Sequence, residues 1–126
     1  MATKRQQRVA EQIRVILSEI IQFQADDPRL VGATVVDVKI DHELQYADIY
    51  VYAFGAEATR DQIMEGLKSA AGFLRRAVGE GLQIHHVPEL RFHWDQTLER
   101  ADRIHDLLDS LDIPPSEATN DTGDET

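Results

Sequence analysis

Two neighbouring stretches with a period of two constrain the fold of this chain more than any other feature. Along 33–41 and again along 46–54, small or apolar residues alternate with residues that are mostly charged or aromatic. The predicted inward positions are Thr34, Val36, Val38 and Ile40, then Ala47, Ile49, Val51 and Ala53. Alternation of this kind is typical of a sheet with one face on a core. The short connection "DHELQ" predicts an antiparallel hairpin.

A helical period precedes the hairpin. Thr3 and Gln6 have the spacing of a capping box, in which each side chain bonds the other's backbone N–H. The apolar stripe that follows is Val9, Ile13, Ile16, Ile20 and Phe23 or Gln24, widened by Leu17 and Ile21. Asp27 precedes Pro28, which disfavours helical backbone, so the helix is predicted to end there.

A second helical period follows the hairpin. Thr59 and Gln62 repeat the capping-box spacing. The stripe is Ile63, Leu67, Ala70, Leu74 and Val78, and it stays in phase through Gly72. "ELRFHW" at 89–94 alternates again and predicts a third strand. Thr97 is the predicted cap of a last helix, whose inward residues are Leu98, Ala101, Ile104, Leu108 and Leu111.

The resulting order is α-β-β-α-α-β-α, which predicts an α+β domain with helices on one face of a three-stranded sheet. At 126 residues the chain is long enough for one domain with a substantial core. We predict that domain over residues 1–111. Residues 112–126 hold five acidic residues, no basic residue and two prolines, and predict a disordered acidic tail.

Composition excludes several classes of protein. The sequence has no cysteine, which excludes disulfides and thiolate metal sites and fits a reducing cytoplasm. No apolar segment approaches the roughly 20 residues that span a membrane, and the first residues lack a signal-peptide core. We therefore expect a cytoplasmic protein that does not associate with a membrane and needs no cofactor. The net charge of −10 argues against a simple polyanion binder.

Gly72 is an unexpected residue in the middle of a helical pattern, because glycine is about 1 kcal/mol less favourable there than alanine. Two interpretations are open. Gly66, Gly72 and the small residues between them could allow close helix packing. Alternatively, Gly72 could mark a kink, which would point the start of the next helix outward, where backbone amides favour phosphate. Arg75 and Arg76 would then lie beside that helix start.

Five cations form the predicted binding surface. Lys4 and Arg5 occupy the first turn of a helix, which is the unfavourable end for positive charge and suggests a partner, although a frayed terminus would reduce the penalty. Arg8 lies on the polar side of the same helix, and Arg75 and Arg76 lie off the apolar stripe of theirs. If they converge, these side chains could bind RNA phosphates.

Several separated motifs together carry a resemblance to a known family. They are "DPRL" at 27–30, "DIYVYA" at 48–53, "LKSAAGFLRRAV" at 67–78, "VPELRFHWD" at 87–95 and "RADRIHDLL" at 100–108. In order and spacing the chain resembles the ribosome-binding factor A family over about residues 4–109. The resemblance implies a type II KH-like fold with a kinked helix pair, in which an Ala-x-Gly motif replaces the usual Gly-x-x-Gly loop. Here that motif is Ala70, Ala71 and Gly72.

The resemblance also implies a function. Members of the family are bacterial assembly factors that bind the 30S subunit and its 16S ribosomal RNA during late maturation and rRNA processing, without catalysis. We accordingly expect no enzymatic activity, and we expect a monomer. The alternative is an acidic α+β interaction module that binds a basic protein partner. Salt dependence and sensitivity to RNase separate the two hypotheses.

Two further groups of residues could form sites. Tyr50, Tyr52, Arg91 and His93 share the predicted outer face of the sheet, where they could stack on bases or pair across strands; ordinary pairing is the preferred interpretation. His85, His86, His93 and Asp95 raise the weaker hypothesis of a metal-dependent enzyme. Their spacing places only His93 and Asp95 on one side of a strand, so no metal site is predicted.

Overall fold

The computed structural model describes residues 2–23, 26–54, 58–84 and 86–111. The chain divides into two units, Met1–Asp95 and Gln96–Thr126. The helices and strands of the first unit are α1 (Lys4–Phe23), a 3₁₀ turn (Pro28–Leu30), β1 (Ala33–Ile40), β2 (Tyr46–Ala53), α2 (Arg60–Ser69), α3 (Ala71–Leu82) and β3 (Glu89–Trp94). In the second unit, the described element is α4 (Gln96–Ser110). The predicted α+β order is confirmed.

The start of α1 is fixed by the predicted capping box. The backbone N–H of Gln6 donates to Thr3 Oγ1 at 3.1 Å, and the N–H of Thr3 donates to Gln6 Oε1 at 2.8 Å. The amide group of Gln6 is buried and also donates to the carbonyl of Ile40 at 3.1 Å. One side chain therefore caps the helix and ties its first turn to the end of β1.

Strand β2 is the centre of a three-stranded sheet in the order β1-β2-β3. It pairs antiparallel with β1, as the hairpin prediction requires, and parallel with β3. A parallel pair needs a long crossover connection, and α2 and α3 supply it. The turn between β1 and β2 is held by the Asp41 carboxylate, which accepts the N–H groups of Gln45 and Tyr46, each at 2.7 Å.

The inward set predicted for β1 is partly wrong. Val35, Val38 and Ile40 are the buried residues, whereas Thr34 is exposed and Val36 is only half-buried. The reason is a β-bulge: Val35 pairs with Val51 and Asp37 pairs with Tyr50, so Val36 is an extra residue without a partner. One extra residue shifts every earlier side chain to the other face.

The core lies between the sheet and the helices α1, α2 and α3. Its fully buried aliphatic residues come from each layer: Ile13, Leu17, Ile49, Val51, Ile63, Leu67, Leu74 and Val78. Each such side chain stabilises the fold by about 1.5–3 kcal/mol relative to exposure. The α2–α3 stripe is confirmed. The stripe of α1 ends earlier than predicted, because Phe23 is 74% exposed; Gln24 lies outside the described residues.

Helix α4 is confirmed, but its predicted cap is wrong. The helix begins at Gln96, so Thr97 lies inside the first turn and Asp95 precedes the helix. An acidic residue, Glu99, lies in that first turn, where negative charge is favourable. The inward direction of its apolar residues and the tail at 112–126 remain predictions; the tail is outside the described residues. Across the described part of the chain, no helix is both long and apolar enough to cross a membrane.

Candidate nucleic-acid interface

The predicted kinked helix pair is present, and the break lies at Ala70. This residue has φ −90° and ψ 1°, between the last residue of α2 and the first of α3. Hydrogen bonds continue on both sides: the Ala70 N–H donates to Gly66 O at 3.0 Å, and the Leu74 N–H donates to Ala70 O at 2.9 Å. The expected hinge at Gly72 is therefore displaced by two residues, to the first residue of the Ala-x-Gly motif.

The surroundings of Gly72 differ from those of the other helical glycines. A Cβ added at Gly72 would meet no heavy atom within 4 Å among the described residues. Its φ is not in the left-handed region either. At Gly66, by contrast, a Cβ would lie 3.1 Å from Leu30 and 3.3 Å from the Asp27 carboxylate. Close packing thus explains Gly66, and neither close packing nor backbone strain explains Gly72.

The start of α3 is a candidate anion site, although Asp61 and Glu65 line a cavity together with Ala71. No side chain caps its first amides, and no acidic residue occupies its first turn. Phe73, next to Gly72, is 42% exposed. Uncapped N–H groups at a helix start carry partial positive charge, and a phosphate or carboxylate satisfies them. The missing side chain at Gly72 leaves room for a bulky group to approach this backbone closely.

Arg75 and Arg76 lie one turn into α3, and both are exposed. Arg75 Nη2 donates to the carbonyl of Val87 at 2.9 Å, which ties α3 to the segment before β3. Within the described residues, Arg76 has no hydrogen bond or ion pair. Neither guanidinium is held by a described carboxylate, so both could donate hydrogen bonds to a phosphate.

Lys4, Arg5 and Arg8 are exposed in the first two turns of α1, and no acidic residue lies in the first turn. Their side chains have no ion pair with any described residue. Arg14, farther along the same helix, is different: its Nε donates to Glu11 Oε1 at 3.0 Å, and this hydrogen bond lowers the pKa of Glu11. The three predicted cations are therefore the unpaired ones of α1.

The structure brings Arg5 and Arg75 to one segment, residues 86–88. Arg5 lines a cavity that His86 and Pro88 also line, and Arg75 bonds Val87 between them. Leu82, the last residue of α3, lines the same cavity. The first turn of α1 is thus near the C-terminal end of α3. Gly72 is near the start of α3, and the rise of 1.5 Å per residue places it roughly 15 Å from Leu82 along the helix. Arg5 and Arg75 thus both lie beside the segment 86–88, and Arg76 follows Arg75 on α3.

The outer face of the sheet is internally paired, as preferred from the sequence. We call Asp48, Tyr50, Arg91 and His93 the paired sheet face. Asp48 accepts two hydrogen bonds from Arg91, at 3.0 and 3.1 Å, and its Oδ1 lies 2.7 Å from His93 Nε2. Tyr50 stacks on His93 with ring centroids 5.1 Å apart. Burial opposes ionisation of Asp48, but the bonds from His93 and Arg91 outweigh it and lower its pKa.

The remaining side chain of the sheet prediction, Tyr52, is also engaged, and it is buried rather than open to a base. The ring of Tyr52 contacts those of Phe54 and Trp94, with centroids 4.8 and 4.9 Å apart. As for the histidines, the described part of the chain contains no group of three or more His, Cys, Asp or Glu placed to hold a metal ion. His85 lies outside that part.

The sequence matches the family model described as "Ribosome-binding factor A" over residues 5–108. This chain belongs to the ribosome-binding factor A family. It is 41% identical to ribosome-binding factor A of Aromatoleum aromaticum over 107 residues, which is 85% of this chain and 84% of that one. It is 43% identical to ribosome-binding factor A of Chromohalobacter salexigens over 108 residues, covering 84% of this chain and 82% of that one.

Solved structures of ribosome-binding factor A share the fold. The crystal structure from Thermus thermophilus has a TM-score of 0.62 and 26% identity, covering 70% of this chain and 93% of that one. A homology model of the T. thermophilus ribosome-binding factor A, fitted into a cryo-electron microscopy map of a 30S complex, has a TM-score of 0.57 and 28% identity. That match covers 66% of this chain and 87% of the other. The predicted KH-like α+β class agrees with these neighbours.

Sequence reasoning missed most of the cavity beside Arg5. Its apolar walls include Leu44 and Ile84, which lie in turns and belong to no periodic stripe. The only available signal was weak: Ile84 is a large apolar residue in a polar loop, and loop residues of that type are often exposed without a role.

Proposed function

We propose that this protein binds the 30S ribosomal subunit through 16S rRNA and assists its late maturation and rRNA processing without catalysis. It acts as a monomer in the bacterial cytoplasm. Membership of the ribosome-binding factor A family supports this proposal, as does the 30S complex of the T. thermophilus protein. The structural observation that carries it is the start of α3, where a Cβ added at Gly72 would meet no heavy atom of the described residues within 4 Å and no side chain caps the helix.

The proposed contacts follow from charge and exposure. We define the open helix start as Ala70–Phe73 with Arg76. The backbone N–H groups of the open helix start bind one phosphate, and Arg76 binds a second. Lys4, Arg5 and Arg8 bind backbone phosphates near the other end of α3, and Arg75 both fixes the segment at 86–88 and adds positive charge beside Arg76. Ala70 and Ala71 set the geometry of the helix break and read no bases.

The net charge of −10 is compatible with this arrangement because the acids elsewhere repel RNA while the cationic groups attract it. Such a protein binds poorly to free RNA in general and well to one shaped particle. Each phosphate contact releases counterions, so affinity should fall steeply as salt is raised.

Cosedimentation with purified 30S subunits tests the proposal. The full chain should pellet with subunits at low salt and be released by RNase treatment. The variant Arg8→Gln should bind more weakly, whereas Arg14→Gln is the matched control on the same helix, because Arg14 is already paired with Glu11. Equal binding of both variants and the parent would count against the cationic surface.

A basic protein partner is the competing hypothesis, favoured by the net charge of −10. Binding to a basic protein should resist RNase and weaken when residues 112–126 are removed. Binding to rRNA predicts the reverse for both treatments. Sedimentation of a cell extract adds the cellular test: the protein should travel with free small subunits and be absent from translating ribosomes.

A further inference from the structure

The cavity beside Arg5 has the features of a ligand site. It has a volume of about 310 Å³ and lies where α1 begins, α3 ends and the β1–β2 turn folds over. Val9, Leu44, Leu82, Ile84 and Pro88 supply apolar walls. This volume is at the lower end of the roughly 300–1,000 Å³ found for small-ligand pockets. A cavity of this volume can hold one compact group but not a duplex.

Backbone strain is concentrated at this cavity. Among the described residues, the two non-glycine residues with positive φ are Leu44, at 59°, and Gln83, at 55°. Leu44 lines the cavity, and Gln83 joins Leu82 to Ile84, which both line it. Left-handed backbone is unfavourable for residues with a Cβ, and such residues cluster at ligand sites. Here the strain places two apolar side chains on the cavity wall.

The strained turns are held firmly. The Leu44 N–H donates to Asp41 O at 3.0 Å, while the Asp41 side chain accepts the next two N–H groups. The Gln83 N–H donates to Gly79 O at 2.9 Å. Arg75 fixes the third wall through its bond to Val87 O. Hydrogen bonds therefore hold the β1–β2 turn, the end of α3 and Val87 in place around the cavity.

Positive charge borders the cavity. Arg5 lines it, and Lys4 and Arg8 are within one turn along α1; none of the three is paired with a described residue. Gln12, His86 and Glu43 are the other polar residues that line the cavity, and Glu43 is acidic. A free phosphate would not need the apolar walls, and an apolar protein side chain would not need the cations. A nucleotide uses both.

We propose that this cavity takes a single unstacked nucleobase of ribosomal RNA, with Arg5 beside the phosphate of the same nucleotide. The assignment rests on the proposed function and adds a base-binding site to it. Proteins recognise RNA sequence mainly through unstacked bases in loops and single strands. The site lies at the end of α3 opposite Gly72, so one RNA segment could contact both ends of that helix.

Methyl-detected NMR on the full chain tests the site without the ribosome. The probes are uridine and adenosine 5′-monophosphates, and ribose 5-phosphate is the matched control without a base. Nucleotides should shift the methyl signals of Val9, Leu44, Leu82 and Ile84. Ribose 5-phosphate should leave them unchanged. Equal shifts with all three probes, or none with any, would overturn the proposal.

Two variants test the site in the complex. Ile84→Trp fills the cavity from a residue that is 39% exposed, and Leu44→Gly removes a wall while suiting the positive φ. Either should weaken 30S binding roughly tenfold, as the loss of one base-stacking contact does. Val15→Trp is the control, because Val15 is 42% exposed on α1 and does not line the cavity.

The outcomes separate this proposal from the proposed function. If the parent binds 30S subunits and both cavity variants bind equally well, the base site is wrong and the ribosomal role stands. If the parent does not bind them, the ribosomal role fails, and the nucleotide titration still decides the cavity. If the variants bind weakly but nucleotides cause no methyl shift, a protein side chain fills the cavity and the nucleobase assignment is overturned.

Discussion

The paired sheet face and the open helix start are both at least partly exposed and both carry polar groups, but only the first satisfies its own groups. On the sheet, Asp48 is bonded to Arg91 and His93, and Tyr50 covers the histidine ring. At the start of α3, Arg76 has no partner among the described residues and the first amides have no side-chain cap. Composition does not distinguish a binding surface from a structural one; internal pairing does.

The glycines also divide into those that the fold itself requires and one that it does not. Gly79 and Gly81 would place a Cβ 2.6 Å from Val87 Cγ2 and Ile16 Cδ1 respectively, so each permits close contact between elements. At Gly72, by contrast, an added Cβ would meet no heavy atom of the described residues within 4 Å, so this glycine is not needed for close packing. The proposed function offers a reason for this unfavourable residue, namely a partner that needs the space.

The largest predicted effect is at an enclosed glycine. Gly79→Val should lower the free energy of unfolding by about 2–3 kcal/mol, because the Val87 side chain must be displaced from a packed site. Gly72→Val is the matched control in the same helix and should change stability by less than about 0.5 kcal/mol. Urea denaturation measures both. Equal urea midpoints for the two variants would contradict the predicted difference between Gly79 and Gly72.

The next effect is on the paired sheet face. Asp48→Asn should reduce stability by about 1 kcal/mol at pH 7, the size expected for a partly exposed charge pair. The folded-state pKa of Asp48 is lowered, so its contribution is present above the unfolded value near 3.9 and is lost as pH falls through the folded value.

Thermal unfolding of parent and Asp48→Asn between pH 7 and pH 2 checks this sign. The two curves should differ at neutral pH and converge in acid. A difference that grew below pH 4 would show that the carboxylate is not stabilised by its partners.

Gly72→Ala should have opposite effects on folding and binding. Alanine is the better helix former and meets no atom at this position, so stability should rise by about 0.5–1 kcal/mol. Binding to 30S subunits should weaken, because the new methyl group occupies the space in front of the α3 amides. A variant that is both more stable and fully active in cosedimentation would refute the role of the open helix start.

The smallest effect on folding is expected at Arg76. Arg76→Gln should leave stability within about 0.5 kcal/mol of the parent. Because one phosphate contact is lost, the slope of log affinity against log salt should become shallower by about 0.7–0.9. Affinities measured across a salt series provide the comparison. An unchanged slope would place Arg76 outside the interface.

Much of the fold followed from local rules. The capping boxes at Thr3 and Thr59, the hairpin, the third strand and the α2–α3 stripe are confirmed because each depends on residues close in sequence. The face of β1 was wrong at Thr34 because a bulge is a pairing irregularity between two strands. The five predicted cations and the residue ranges 1–111 and 112–126 remain predictions.

The type and order of the elements, the α+β class and the positions of the unusual glycines and cations could be read from the amino-acid sequence. These depend on periodicity, capping and composition, which act over a few residues. Three features required the folded chain: the helix break at Ala70, the close packing at Gly66 but not at Gly72, and the cavity that Leu44, Leu82 and Arg5 border. Those features arise where distant segments pack, and no local pattern encodes the space left between them.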